Sequence, residues 1–465
     1  MPDNFSIAFV SGKLGDVDGV SLEVDKWIDI LRGFGHRLYA VSGKYVSRLP
    51  GIHTENQFLL PEIRFDSNEQ RDYERQVFPH LSKRPPHLNT ERQTRIVEDI
   101  VAKGNEIANL LLEIVQDNDI DVLIAENTNA MPMTLLGGMG IYRLATESRV
   151  ATIFHHHDFW WERSRFSRNY IENLLNQIMP PIDLGFEHVV ISSYAAHILS
   201  SLKRVSPFII PNCEDFTRPV VLDEYNGNFR ADFGFDDDDI LVVQPTRVVP
   251  RKRIEDSVEL LVRFKEKYPK MGEKIRSIIS LYQGDEPDET YIDRIRNLAS
   301  KKGLSFHMIS DHVASVRSMD SEGRRIYTNR DVLANANLVT YLPVWEGFGN
   351  ALLEAIAARV PIVVSTYLVY KTDIKITGLS MIEVRDRYGE EGKLCIPDSV
   401  LDEMHYMCTH TEQRKELVEQ NYQIAKREFG METLRTKLAR LFELYGDEIR
   451  ASRKRVGKSK TRYSV

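Results

Sequence analysis

The stretch Leu338–Ala358 constrains this chain more than any other. It reads as a short apolar strand (Leu338–Tyr341), a loop holding two glycines, and an apolar helix that starts near Asn350. A loop that leaves a strand and enters a helix keeps backbone N–H groups unpaired, and the helix dipole favours an anion beside them. Gly347 and Gly349 carry no side chain that would hold a phosphate away from that backbone. Glu346 stands at the mouth of the loop, and Glu354 lies about one helical turn inside the helix. A carboxylate only accepts hydrogen bonds, so it suits a ligand with neighbouring sugar hydroxyls. An ordinary buried strand–loop–helix, whose glycines merely make a turn, would use the same residues.

The start of the chain has the same plan. Ser6–Val10 is a buried-type strand, Ser11–Gly19 a loop, and Val20, Val24, Trp27, Ile28 and Leu31 share one face of the helix that follows. Gly33 and Gly35 close that helix before a second strand, Arg37–Val41. Such a unit opens a doubly wound parallel sheet, so the fold class is α/β. At 465 residues the chain exceeds one compact core, and two or three domains are expected. Its net charge of −7 argues against non-specific nucleic-acid binding. No apolar run approaches the ~20 residues of a membrane span, so no integral membrane association is expected. The N-terminal residues show no charged-then-apolar leader. Cys213, Cys395 and Cys408 are too few and too scattered for a disulfide framework or a cysteine metal site, which points to a reducing cytoplasm. Ile96–Val115 reads as a long amphipathic helix and Val122–Ala125 as a buried strand. Residues 61–95 lack periodicity and read as a solvated surface excursion whose Arg and His could face an acceptor.

Glu346 and Glu354 with Gly-Phe-Gly between them resemble the E-x7-E signature of retaining nucleotide-sugar glycosyltransferases of family-4 type, the glycosyl transferases of group 1. The run-up Ala336-Asn-Leu-Val, Pro343 and Glu346, and the following strand Pro361–Ser365, are similar to that family too. The resemblance spans residues 5–445 apart from 61–95. It implies the GT-B fold, two Rossmann-like doubly wound parallel-sheet domains facing across a cleft. On that pattern residues 1–212 form the acceptor domain, joined by a returning helix at 430–449, and 213–429 form the donor domain. The basic segment 450–465 is expected to be disordered.

The resemblance also assigns roles. Arg247 and Lys252 match the family's diphosphate clamp at the start of a helix. Two fixed cations stabilise the charge that grows on a departing diphosphate. Glu354 would hold the ribose, while Glu346 and the backbone at Phe348, Gly349 and Asn350 would position the sugar and β-phosphate. Gly19 stands in the family's N-terminal glycine loop, where two adjacent glycines are usual and this chain has Asp18-Gly19. His155-His156-His157 suggests metal at first, but alternation along a strand puts only His155 and His157 on one face. No acidic or Cys partner is spaced along the sequence to complete a site, so no metal is expected. In the family a His at the end of this strand lines the donor-sugar pocket, and both His155 and His157 fit. Phe159, Trp160 and Trp161 read either as a sugar-stacking wall or as a packed cluster. Arg163, Arg165 and Arg168 point to an anionic acceptor. Cys213 and Arg359 stand where the family usually has glycine, and Gly284 is one glycine where two are usual. Asp236–Asp239 reads as a solvated acidic run.

What the resemblance implies is transfer of a hexose, glucose or mannose, from a nucleotide diphosphate sugar to the hydroxyl of a small soluble acceptor, with retention of configuration. The nucleotide sugar is a co-substrate and no cofactor is expected. A homodimer is open. A disaccharide phosphorylase, a nucleotide-sugar epimerase and a non-catalytic nucleotide-sugar-binding subunit are the alternatives.

Overall fold

The computed structural model describes residues 4–16, 18–79, 88–183, 185–282, 290–389, 392–456 and 463. Contacts divide the chain into two compact units, Met1–Pro211 with Leu434–Val465, and Asn212–Thr433.

The first unit contains β1 (Ser6–Ser11), α1 (Gly19–Gly33), β2 (Arg37–Ser42), β3 (Gln57–Leu59), α2 (Asn68–Val77), α3 (Thr90–Asp117), β4 (Val122–Glu126), α4 (Leu135–Glu147) and β5 (Ala151–His156). The short α5 (Ser164–Ser167) and α6 (Glu172–Ile178), then β6 (Phe186–Val190), α7 (Ser193–Lys203) and β7 (Phe208–Ile209), follow. The strands form one parallel sheet in the order β3-β2-β1-β4-β5-β6-β7. Every residue of β1, β4 and β5 is buried, as expected of strands covered on both faces. The order reverses between β1 and β4, and ligands of open α/β sheets bind at the carboxyl ends of strands at such a point.

The second unit contains α8 (Phe229–Phe233), β8 (Ile240–Gln244), α9 (Ile254–Lys267), α10 (Pro269–Gly272), β9 (Ile275–Ile279), α11 (Tyr291–Lys301) and β10 (Phe306–Met308). A two-stranded ribbon, β11 (Ser318–Met319) with β12 (Arg325–Ile326), precedes α12 (Asn329–Ala334), β13 (Leu338–Tyr341), α13 (Asn350–Ala357), β14 (Ile362–Ser365) and β15 (Ile382–Val384). Helices α14 (Asp398–Thr409) and α15 (Thr411–Phe429) close the unit. Its main sheet has the order β10-β9-β8-β13-β14-β15, reversing between β8 and β13.

The last helix, α16 (Met431–Val456), belongs over most of its length to the first unit. Ser452 Oγ accepts from the Ala151 N–H at 2.8 Å, and Tyr445 Oη accepts from the Thr152 N–H at 3.1 Å, so this helix satisfies the start of β5. The expectation of disorder from residue 450 is corrected for 450–456. Ser452 and Val456 are buried, and Arg453 pairs with Asp121. Residue 463 is also held, its backbone N–H donating to Asn109 Oδ1 at 2.9 Å. The rest of that segment lies outside the described residues, as does Gly284.

The excursion expected at 61–95 is also corrected, for its described part. Ser67 Oγ caps α2 by accepting from the Gln70 N–H. Ile63, Tyr73, Val77 and Phe78 are buried in the same core as β1 and β4. The polar sequence hid this because α2 buries only a narrow stripe, with Tyr73 and Val77 one turn apart. A Cβ on Gly43 would stand 2.4 Å from the Arg64 backbone nitrogen, so the loop after β2 and the entry to this segment are in direct backbone contact.

Candidate functional site

In the second unit β8 and β13 are neighbours, with Leu338 level with Val242 and Val339 level with Val243. The loops after them therefore leave the sheet side by side. They are tied where the Val344 N–H donates to the Arg251 carbonyl at 3.0 Å. Lys252 and Glu346 are thus brought together although 94 residues separate them, and the Lys252 ammonium pairs with Glu346 Oε1. Arg251 Nη1 donates to the same oxygen at 2.6 Å. Lys252 also lies over the Tyr341 ring, 5.2 Å from its centroid.

Both charges of the pair are buried, with Lys252 8% and Glu346 7% exposed. Burial pushes the Lys252 ammonium down to about 8, with Glu346 opposing and the Arg251 and Arg247 guanidinium groups adding to the fall. Burial favours the neutral acid in Glu346, but Arg251 and Lys252 outweigh it and hold the carboxyl at about 2. The cluster is therefore two cations on one carboxylate, with the half-buried Arg247 close enough to be felt. Arg247 makes no ion pair among the described residues. The arrangement carries net positive charge and can take an anion.

The helix entered from β13 completes this edge. Gly349 has φ +134°, and α13 starts after it with no capping side chain, so the Asn350 and Ala351 N–H groups have no side-chain cap. Tyr367 Oη donates to the Phe348 carbonyl at 2.6 Å, and the Phe348 ring packs edge-on against Phe429. Asn350 Oδ1 accepts from Asn212 Nδ2 at 2.6 Å, while the buried Asn350 Nδ2 has no partner among the described residues. Glu354, half-buried, accepts from Asn329 Nδ2, whose own Oδ1 accepts from Ser280 Oγ at 2.7 Å. A line of side chains fixes the carboxylate read as the ribose contact. Arg251 and Asn329 were missed in sequence. The signal for Arg251 was its place beside Lys252, and Asn329 had none.

In the first unit, His155 and His157 share a face of the strand end, with ring centroids 4.4 Å apart. His156 points away, 3.0 Å from His188. His155 is 1% exposed and stacks on Trp27 at 4.4 Å. Sequence spacing offered no acidic partner for these histidines, but the sheet supplies one. Glu126, at the end of β4, stands level with His155 in the sheet, and its carboxylate lies 3.0 Å from His155 Nδ1 and 3.4 Å from His157 Nε2. The ligand atoms of Glu126, His155 and His157 all lie within 4.8 Å of one another. Two imidazoles and one carboxylate suit a first-row transition ion chemically, so these are the residues that could hold one. Asp236, Asp238 and Asp239 also converge, and two of the three are exposed.

Other expected contacts fall elsewhere. Gly19 is exposed at the first turn of α1, whose N-terminus is already filled by the Asp18 carboxylate accepting from the Val20 and Ser21 N–H groups. A close approach by diphosphate there would compete with that cap. Trp160 is buried, its Nε1 donating to the Met179 carbonyl at 2.9 Å, so it packs in the core of the first unit. Arg163 pairs with Asp158 and Arg165 with Glu74, so these arginines already answer internal charges. Cys213 is buried and avoids positive φ. Arg359 keeps a left-handed conformation, φ +55°, where glycine was expected. Its guanidinium lies 3.5 Å from the Tyr422 ring centroid and pairs with Glu419 at 2.6 Å.

Two doubly wound parallel sheets, with a cationic cluster and an uncapped helix at the switch point of the second, define a GT-B glycosyltransferase, and this chain belongs to the glycosyl transferases of group 1. The model of that family, "Glycosyl transferases group 1", matches residues 226–375. Over 450 residues the chain is 30% identical to the mannosylglucosylglycerate synthase of Thermotoga maritima, covering 93% of this chain and 99% of the relative. A second mannosylglucosylglycerate synthase, from Petrotoga mobilis, is 29% identical over 392 residues, 81% of this chain and 86% of the relative. Among solved structures, Anabaena HepE in complex with UDP and glucose is similar in fold, with a TM-score of 0.57 at 14% identity, covering 95% of this chain and 100% of that one. No described helix is long and apolar enough to cross a membrane.

Proposed function

We propose that this chain is a retaining hexosyltransferase that moves mannose from a nucleotide diphosphate sugar to a hydroxyl of a small soluble anionic acceptor of the glucosylglycerate type. The observation that carries it is the buried cluster of Lys252, Arg251 and Glu346 beside Arg247, at the mouth of adjacent strands. The sugar and acceptor are inferred from the two relatives, named for a product of mannose, glucose and glycerate.

In this reading Arg247 and Lys252 take the charge of the diphosphate, Glu354 the ribose, and the α13 N–H groups the β-phosphate. Glu346 holds Lys252 in place and contacts the sugar. The bond from the anomeric carbon to the phosphate oxygen breaks as the acceptor oxygen bonds to the same face. The acceptor proton passes to the leaving phosphate oxygen. Fixed cations serve because the departing diphosphate gains charge in the transition state, and the step asks for no metal. The reading places the protein in the cytoplasm, where nucleotide sugars are made.

The test is to incubate the protein with GDP-, UDP- and ADP-linked hexoses, with and without glucosylglycerate, following nucleoside diphosphate release and the anomeric configuration of the product by NMR. Acceptor-dependent release with retention is expected. Inversion overturns the mechanism. Sugar phosphate formed with inorganic phosphate indicates a phosphorylase, and a rearranged sugar without acceptor an epimerase. No turnover of any donor overturns the reading.

A further inference from the structure

Glu354 is a long side chain, and α13 alone does not hold its carboxylate. Asn329, the first residue of α12, donates from Nδ2 to Glu354 Oε2, and Asn329 Oδ1 accepts from Ser280 Oγ at 2.7 Å. A carboxylate only accepts, and a hydroxyl can donate, so the two ends of this line allow one orientation of the amide. Its NH2 group must face Glu354 and its oxygen must face Ser280. Turned over, the amide would set its oxygen against the carboxylate.

The three residues come from separate parts of the second unit, and each part is tied down. Ser280 follows β9 and is fully buried. Ile279 is level with Gln244 of β8, so the serine leaves the sheet at the edge from which the chain runs on to Arg247 and Lys252. Asn329 sits inside a capping box, in which Asp331 Oδ2 accepts from the Thr328 N–H at 2.9 Å and Thr328 Oγ1 accepts from the Asp331 N–H at 3.3 Å. Asp331 is buried, accepts from Asn226 Nδ2 at 3.0 Å and pairs with Arg317. The short Asn329 side chain therefore reaches from a fixed backbone. A glutamate loses rotamer freedom when it is fixed, and here that loss falls on folding rather than on binding. A carboxylate has roughly four lone-pair positions, so a bond from Asn329 is compatible with two more from hydroxyls.

We propose that Asn329 is a positioning residue: its amide, oriented by the Ser280 hydroxyl, holds the Glu354 carboxylate where it receives both ribose hydroxyls, and so selects nucleotides with an intact diol. This rests on the reading of Glu354 as the ribose contact. Asn329 itself touches no ligand in this account and acts through Glu354.

The experiment measures, by calorimetry on the full chain, the affinity of a nucleoside diphosphate and of its 2′,3′-dideoxy analogue, using whichever of GDP, UDP and ADP the wild type binds most tightly. The readout is the ratio of the two affinities, because a merely destabilised protein would lose both alike. The wild type is expected to favour the diol by about tenfold or more, the worth of a charge-assisted hydrogen bond. Asn329→Ala should lower that ratio about threefold or more, the worth of an ordinary one. Asn329→Asp keeps the shape and the acceptor for Ser280 but removes the donor, so it should lower the ratio at least as far. Ser280→Ala should lower it less, since the amide remains but loses its orientation. In a Glu354→Ala background the Asn329→Ala change should leave the ratio where it is. If Asn329→Ala does not fold, Asn329→Asp and Ser280→Ala decide. A wild-type ratio kept in the Asn329 variants, or lowered equally by Asn329→Ala with and without Glu354, overturns the proposal and leaves the function standing. A wild type that binds no nucleoside diphosphate overturns the function and this inference with it.

Discussion

Replacing Gly349 by alanine tests the architecture of the loop between β13 and α13 most directly. At φ +134° an alanine is held in a region its Cβ disfavours, which costs about 1–3 kcal/mol. The new Cβ would also lie 2.7 Å from Tyr367 Oη and 3.3 Å from Tyr341 Oη, both on fully buried rings. Tyr367 must then move, and its hydrogen bond to the Phe348 carbonyl weakens or breaks, a loss of about 0.5–1.5 kcal/mol. The expected total is about 2–4 kcal/mol, read by urea unfolding of the full chain. Hydrogen exchange of the α13 amides would place the loss in the second unit. Tyr367→Phe removes the atom closest to the new Cβ, so the double variant should be less destabilised than the sum of the single ones by about 1 kcal/mol. Nucleoside diphosphate affinity should fall in Gly349→Ala, because the start of α13 moves with it. A variant within about 0.5 kcal/mol of wild type, or strict additivity with Tyr367→Phe, would refute the reasoning.

Lys252→Met should lower kcat by about 10²–10³-fold with a smaller effect on KM, since the cation acts on charge that develops in the transition state. Because the Lys252 pKa is held at about 8, its charge is full below that pH and lost above it. kcat/KM should therefore decline above pH 8, and Lys252→Arg should abolish that limb. Glu354→Ala should weaken nucleoside diphosphate binding about 10–100-fold by calorimetry, the worth of one charge-assisted contact, and an unchanged affinity would remove Glu354 from the ribose site. Dialysis against EDTA should leave the transfer rate unchanged. A loss restored by Mn²⁺ or Zn²⁺ would assign Glu126, His155 and His157 to an ion instead.

What was legible in the sequence was what is local. Glu346, the glycine loop and Glu354 lie on one strand–loop–helix, and Arg247 and Lys252 on another, so the family resemblance could assign expected roles to each from a contiguous stretch. The pairing of Lys252 with Glu346 needed the adjacency of β8 and β13, which the sequence encodes only through the parallel-sheet pattern. Glu126 was hidden for the same reason, since its partner sits 29 residues away on the next strand. Trp160 stayed open between two readings because an aromatic run looks alike whether it faces a sugar or a core. The partners of Arg163 and Arg165, Asp158 and Glu74, were not legible as such, and Glu74 lies 91 residues upstream of Arg165. At Arg359 the backbone stayed as glycine would have it, and packing on Tyr422 supports the substitution.

The level pairing of Glu126 with His155 has a bearing on assembly as well as chemistry. β4 is apolar from Val122 to Ala125 and β5 carries Ala151, Ile153 and Phe154, and burial of such side chains alone sets register only weakly. A slip by one residue would turn Glu126 to the opposite side of the sheet, away from His155 and His157. The trio's contacts are therefore made only in the register that sets Glu126 level with His155.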